Sequence, residues 1–149
     1  DLEIVTRKNL KIYMSKKLLI ITSNYYKEIA ENLILGVNEY LTNFNFLTTE
    51  RINVSGSFEI PYVINKKKDY YDGFIALGCI IRGETYHFEI ISNEVTRKIM
   101  DLTVNINKPI GFGVLTCENM EQAIKRSDPK QDNKGYEAAK ACIDLLNID

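Results

Sequence analysis

The sequence has no tryptophan, a single histidine and only three cysteines among its 149 residues. Cys79, Cys117 and Cys142 are odd in number and far apart, and no C-x-x-C pair occurs. This pattern argues against a disulfide framework and against a zinc site, so we expect reduced, mostly buried thiols and no bound metal. Thiols of this kind are typical of a cytoplasmic protein.

An excess of charge and long apolar runs are missing as well. The 19 basic and 20 acidic residues give a net charge of −1, which does not indicate a surface for nucleic acid. The longest apolar runs fall far short of the roughly 20 residues that a membrane helix needs. The first seventeen residues are too charged for a signal peptide. We therefore expect a soluble domain in the cytoplasm, without membrane or nucleic-acid partners.

What the chain does contain is a hydrophobic pattern whose period changes repeatedly. Short apolar runs typical of buried strands occur at 18–23, 73–81 and 109–116, and a strand-like segment precedes Gly56. Apolar residues at helical spacing follow each of them. Alternating strands and helices predict one α/β domain over residues 1–149, a flavodoxin-like three-layer αβα sandwich with a four-stranded parallel sheet. The pattern leaves undecided whether residues 2–5 form an additional strand.

Ligands of such sheets bind outside the carboxyl ends of the strands, and the unusual residues of this chain fall there. Aromatic, acidic, basic and imidazole side chains would converge on one edge, although ordinary surface loops are the alternative. The segments concerned are Ser23–Tyr26, Gly56–Glu59, Arg82–His87 and, on and after the fourth strand, Phe112, Thr116 and Arg126.

The segment "CIIRGETYHFE" (79–89) contains the only histidine, His87. Gly83, Glu84 and Thr85 precede a helix that we expect to begin near Tyr86. Free N–H groups and the helix dipole favour an anion at such a position, although a simple helix cap is the alternative. An imidazole beside an anion site is suited to proton transfer at neutral pH.

Two other classes of protein with this topology are excluded because the sequence lacks their motifs. A phosphate-accepting receiver domain needs acidic residues at the ends of the first and third strands, but the first strand ends in Ser-Asn-Tyr-Tyr. A flavodoxin needs a loop rich in glycine and hydroxyl groups around the flavin phosphate, and "TSNYYKE" has no glycine.

Four segments, in order and at matching spacing, resemble the lumazine synthase family. They are "GSFEIP" (56–61), "ALGCIIRGETYHFE" (76–89), "FGVLTCENMEQAIKR" (112–126) and "NKG" (133–135). The similarity runs from about residue 18 to 147, and residues 1–17 match only loosely. It implies a transferase without a cofactor that performs the penultimate step of riboflavin biosynthesis.

The reaction implied by the resemblance joins 5-amino-6-(D-ribitylamino)uracil to 3,4-dihydroxy-2-butanone 4-phosphate. The products are 6,7-dimethyl-8-ribityllumazine, phosphate and water. Imine formation, phosphate elimination, tautomerisation and ring closure all move protons, which suits an imidazole.

The resemblance also implies a role for individual residues. His87 would transfer protons, Tyr25 would stack on the pyrimidine, and Phe112 would close over the ring. The other residues of the pyrimidine and ribityl pocket would be Ser57, Phe58, Glu59, Cys79, Ile80 and Ile81. The phosphate would be bound by Glu84, Thr85, Arg126 and Lys134.

The chain departs from the family pattern in two loops. Tyr25 stands where phenylalanine or tryptophan is more usual, and Asn24 and Tyr26 replace the common arginine and asparagine. The loop at 127–132 is also unusual and leaves the role of Lys130 unassigned.

In the family the pocket lies between neighbouring subunits, so the resemblance implies a homopentamer or a multiple of pentamers. Whether riboflavin synthase is a partner stays open. The alternative function is a non-catalytic shell protein of the same fold that binds flavin or lumazine. The presence of both His87 and Arg126 argues against it, because a binder needs neither proton transfer nor a phosphate clamp.

Overall fold

A computed structural model describes residues 16–45 and 47–148 and is centred on one parallel sheet. The strand order is β2-β1-β3-β4, so β1 and β3 are central while β2 and β4 form the edges. The predicted fold class is confirmed; the open alternative at residues 2–5 lies outside the described residues. The strands are β1 (Lys17–Ser23), β2 (Thr48–Val54), β3 (Gly73–Ile81) and β4 (Ile110–Cys117).

Helices cover both faces of the sheet and complete three layers. Two separate apolar clusters fill the space between the layers, one on each face. The helices are α1 (Lys27–Leu41), α2 (Ile60–Lys67), α3 (His87–Ile106), α4 (Met120–Ser127) and α5 (Lys134–Leu146), and a 3₁₀ turn (Ser57–Glu59) precedes α2.

Strand β3 shows why the buried strands read as continuous apolar runs. Ile75 and Leu77 belong to the cluster beneath α1, α4 and α5, whereas Phe74 and Ala76 belong to the cluster beneath α2 and α3. Because successive side chains point to opposite faces and both faces are covered, no position in the centre of this strand can be polar without a buried partner.

The start of α5 is fixed by the buried side chain of Asn133. Its Oδ1 accepts a hydrogen bond from the Tyr136 N–H at 3.0 Å, as an N-cap does. Its Nδ2 donates to the carbonyl groups of Asn32 and Ser127 at 2.9 and 2.7 Å. One side chain therefore joins α5 to α1 and to the end of α4.

Two further sequence predictions can be compared with the structure. The three cysteines are free and buried, as expected. In the part of the chain that the structure describes, no helix is long and apolar enough to cross a bilayer.

Candidate active site

A cavity of about 680 Å³ lies at the carboxyl ends of β1, β2 and β3, where the sequence predicted the ligand edge. Its walls are the β1–α1 connection, the turn before α2, the end of β3 and the first turn of α3. The lining residues are Tyr25, Tyr26, Ser55, Gly56, Ser57, Phe58, Glu59, Cys79, Ile80, Ile81, Gly83, Thr85, His87, Phe88 and Ile91.

Aromatic rings form two sides of the cavity. Tyr25 and Phe58 are 73% and 60% exposed, so both present most of their surface to whatever enters. Tyr26 packs against Tyr25 edge to face, with 4.9 Å between ring centroids. Burial, followed by the neighbouring Tyr25 and Cys79, raises the pKa of the Tyr26 phenol, which stays a neutral hydrogen-bond donor. These rings suit a flat heterocyclic ligand.

His87 is the first residue of α3 and lies exposed at the cavity wall. Its main-chain N–H donates to Thr85 Oγ1 at 3.4 Å, so the threonine hydroxyl supports the start of the helix. Gly83 also lines the cavity, and no heavy atom lies within 4 Å of the position that its Cβ would take. Glu84 is exposed but is not among the lining residues. The segment offers an imidazole and an open approach to main-chain groups.

Arg82, directly after β3, is engaged by other side chains. Its Nε and Nη2 donate to the Glu118 carboxylate at 2.7 and 3.3 Å, and its Nη1 pairs with Glu89 in the first turn of α3. The guanidinium also lies 4.5 Å from the centroid of the Phe88 ring. Arg82 therefore joins the end of β4 to the first turn of α3 and holds the segment that carries His87.

The thiol at the cavity floor is chemically inert. Burial, followed by the neighbouring Cys117, raises the pKa of the Cys79 thiol to about 12. A thiolate is the nucleophilic form of cysteine, so this residue contributes shape and not covalent chemistry. Ile80 and Ile81 complete the floor beside it.

The remaining predicted residues lie elsewhere on the chain. Phe112 is 41% exposed on the edge strand β4, and Arg126 is exposed on α4. Lys134 begins α5 and pairs with Glu137 at 2.8 Å. None of the three lines the cavity. We refer to the residues lining the cavity as the histidine side, and to Phe112, Arg126 and Lys134 as the arginine edge.

The charges of the two regions differ. Among the residues that the structure describes, those lining the histidine side include one carboxylate, Glu59, but no lysine and no arginine. The Glu59 carboxylate accepts a hydrogen bond from the Ser55 hydroxyl at 2.9 Å. A phosphate-bearing ligand in this cavity would therefore lack a cationic partner from the described lining. Within residues 16–45 and 47–148, no group of three or more His, Cys, Asp or Glu side chains could hold a metal ion.

Six lining residues were not predicted as site residues: Tyr26, Ser55, Gly56, Gly83, Phe88 and Ile91. Tyr26, Gly56 and Gly83 lie in segments that were predicted to converge on the ligand edge, whereas Ser55 directly precedes such a segment. Phe88 and Ile91 follow His87 in the first two turns of an amphipathic helix. Apolar residues there are expected to face the core, so the sequence carries no signal that they border a cavity.

A parallel sheet with an aromatic cavity and an imidazole at its carboxyl edge is a three-layer α/β architecture, a class of protein in which ligands bind at the strand ends. The family model for 6,7-dimethyl-8-ribityllumazine synthase matches residues 15–149. The chain belongs to this family.

Curated relatives bearing that name align over most of their length. The protein of Zymomonas mobilis subsp. mobilis is 44% identical over 134 residues, covering 89% of this chain and 95% of its own. That of Novosphingobium aromaticivorans is 45% identical with the same coverage. That of Bartonella bacilliformis is 41% identical over 142 residues, covering 93% of each chain.

Proposed function

We propose that this protein condenses 5-amino-6-(D-ribitylamino)uracil with 3,4-dihydroxy-2-butanone 4-phosphate to form 6,7-dimethyl-8-ribityllumazine. The observation that carries the proposal is the cavity at the sheet edge, which combines aromatic walls with the only histidine of a chain that belongs to the lumazine synthase family. The chain functions as a single domain in this reaction.

The histidine side binds the pyrimidine in this proposal. Tyr25 and Phe58 contact the flat ring, while the main chain of Ser57, the side chain of Glu59 and the end of β3 at Cys79, Ile80 and Ile81 hold the uracil and the ribityl chain. His87 moves protons during imine formation, phosphate elimination and tautomerisation, because its imidazole lies exposed at the cavity wall.

The phosphate of the second substrate binds where the arginine edge of a neighbouring copy meets the histidine side. Glu84 and Thr85 contribute main-chain N–H groups, Arg126 contributes its forked guanidinium, and Lys134 assists near the leaving phosphate. The lack of lysine and arginine in the part of the cavity lining that the structure describes supports this arrangement, because phosphate in a partly dry site needs a cation.

A site made in this way requires assembly. The histidine side and the arginine edge are different surfaces of one chain, so each copy contacts two neighbours head to tail, and such contacts close into rings. We therefore propose a homopentamer or a multiple of pentamers in the cytoplasm. Riboflavin synthase is the candidate partner protein, and co-elution of the two purified proteins tests that contact.

The decisive test of the reaction is to mix both substrates with the purified protein and to follow the absorbance of the product. An enzyme forms product with many turnovers for each chain. The alternative, a non-catalytic binding protein of the same fold, would bind added product but form none above the rate of the uncatalysed mixture.

A further inference from the structure

Gly78, inside β3, lies against the 3₁₀ turn that carries Phe58 and Glu59. A Cβ placed on Gly78 would come within 2.5 Å of the Ser57 Oγ and within 3.3 Å of the Ser23 Cβ. Non-bonded carbon and oxygen atoms do not approach to 2.5 Å without strong repulsion. The serine hydroxyl therefore occupies the space that any side chain at position 78 would need.

The Ser57 hydroxyl is turned toward β3 and away from the open cavity. Ser57 is 5% exposed, and its Oγ is buried without a hydrogen-bond partner among the described residues. The hydroxyl of Ser23, at the end of the adjacent strand β1, is buried in the same way. In this position the Ser57 side chain provides packing against the sheet and is not accessible to a ligand.

The turn itself is held in shape by local contacts. The Ser55 hydroxyl donates to Glu59 Oε1 at 2.9 Å, and the Glu59 N–H donates to the Gly56 carbonyl at 3.2 Å. These bonds fix the form of the turn but not its distance from the sheet. That distance depends on how closely Ser57 can approach β3, and it sets how far Phe58 and Glu59 extend into the cavity.

We propose that Gly78 is a positioning residue for the pyrimidine half of the site. Its missing side chain lets the 3₁₀ turn lie against β3, and the Ser57 hydroxyl acts as the spacer between them while the main chain of Ser57 and the side chains of Phe58 and Glu59 face the ligand. The inference rests on the proposed function and specifies how this part of the pocket is built.

The test is a pair of single variants and their combination. Gly78→Ala introduces the clash, Ser57→Ala removes the spacer, and the double variant keeps the new methyl group but lacks the Ser57 Oγ that it would meet. The nearest atoms to the methyl group would then be the Ser23 Cβ at 3.3 Å and the Ser57 Cβ at 3.6 Å. Gly73→Ala is the matched control, because Gly73 is a buried glycine at the opposite end of the same strand. For each protein, calorimetry measures binding of 6,7-dimethyl-8-ribityllumazine, and steady-state kinetics gives kcat and the KM for the pyrimidine.

Gly78→Ala should raise the product Kd and the pyrimidine KM by about tenfold, the order expected of an overpacked contact, while kcat at saturation changes by less than about threefold. Ser57→Ala should change Kd by less than about threefold, and the double variant should return to that level. Gly73→Ala should lower the melting temperature without raising the KM.

Three results would overturn the proposal. The first is a double variant that binds as weakly as Gly78→Ala. The second is a loss in Ser57→Ala alone that equals the loss in Gly78→Ala, because the hydroxyl would then contact the ligand directly. The third is a failure of both Gly78→Ala and the double variant to fold. The Ser57 hydroxyl would then not be the cause of the clash. Failure of the proposed function is distinct from all three, since the unaltered protein and Gly73→Ala would then form no product.

Discussion

The histidine side and the arginine edge differ in what each supplies. The histidine side encloses a cavity with exposed aromatic rings, an imidazole and one carboxylate, but its lining, within residues 16–45 and 47–148, has no lysine or arginine. The arginine edge offers an aromatic ring and two cations on β4, α4 and α5, outside that cavity. Each region lacks what the other provides, and this difference is the reason to expect a site shared between copies of the chain.

The two regions are nevertheless joined within one chain. Arg82 links Glu89 in the first turn of α3 to Glu118 at the end of β4, next to the start of α4. Together with the pairing of β3 and β4, these ion pairs set the relative orientation of the histidine side and the arginine edge. Constant orientation in every copy is what a closed ring of identical contacts requires.

The largest effect should follow a change on the histidine side. His87→Ala removes the only imidazole at the cavity, and general acid–base groups contribute about 10²- to 10⁴-fold. We expect a fall in kcat of roughly 100-fold, near the low end, because positioning two reactive substrates supplies much of the rate. The pyrimidine KM should stay within about threefold, since the ring contacts remain. An unchanged kcat in stopped-flow assays would remove His87 from the mechanism.

A change at the arginine edge should alter a different kinetic constant. Arg126→Ser removes a charge-assisted contact, a loss of about 1.5–3 kcal/mol, or roughly 10- to 150-fold in the KM for the phosphorylated ketone. Arg126→Lys should recover only part of this, because an ammonium group cannot form the bidentate pair. If the pyrimidine KM rises as much as that of the ketone, Arg126 does not act on the phosphate.

The sequence indicated which segments lie on the histidine side. It did not indicate the contacts that hold those segments in place. The apolar run at 73–81 coincides with β3, because a strand buried on both faces leaves an unbroken apolar pattern. The turn with Phe58 and the segment with His87 follow strand ends, where topology alone places ligands.

Side-chain contacts between elements that are distant in the chain could not be predicted from the sequence. The contact between Gly78 and Ser57 joins a strand and a turn that are distant in the sequence, and no periodicity connects them. The Arg82 pairs likewise join the ends of two strands and a helix. The arginine edge could be linked to the cavity only through the family resemblance, because that link needs a second copy of the chain.

An effect of similar size on a different property, the association of copies, is expected from the ring of Phe112, which we assign to the contact between them. Burying a phenylalanine side chain contributes about 1.5–3 kcal/mol, so Phe112→Ser should weaken association by roughly 10- to 150-fold for each contact. Analytical ultracentrifugation at low micromolar concentration should show smaller species. Tyr70→Ser, which alters an exposed ring in the connection before β3, is the control and should leave the assembly intact. An unchanged Phe112→Ser assembly would mean that the contact lies elsewhere.

The smallest effect concerns the cavity floor, where Cys79 lies beside Cys117. With a pKa of about 12, the Cys79 thiol has a thiolate fraction of only about 10⁻⁴ at pH 8. Iodoacetamide at pH 8 should therefore lower kcat by less than about twofold over an hour. Rapid inactivation, with mass spectrometry locating the adduct at Cys79, would contradict the inert floor.

The raised pKa of the Cys79 thiol also predicts the direction in which stability changes with pH. Its folded pKa lies above the ordinary value of 9.0, so the unfolded chain loses this proton first as the pH rises. The stabilising contribution is complete below about pH 9 and declines between about pH 9 and pH 12. Urea unfolding should show a smaller loss of stability from pH 8 to pH 10 for Cys79→Ala than for the unaltered protein. Equal losses in both proteins would remove Cys79 as a source of the pH dependence.

The central claim is that the histidine side of one chain is completed by the arginine edge of another, and mixing two inactive variants tests it directly. His87→Ala and Arg126→Ser chains are unfolded, combined in equal amounts and refolded, and each variant refolded alone is the control. Random placement in a head-to-tail ring gives an intact pairing at about one contact in four. Activity should therefore rise to roughly a quarter of that of the unaltered protein. If mixed rings form but show only the average of the two variants, each chain contains a complete site and the claim is wrong.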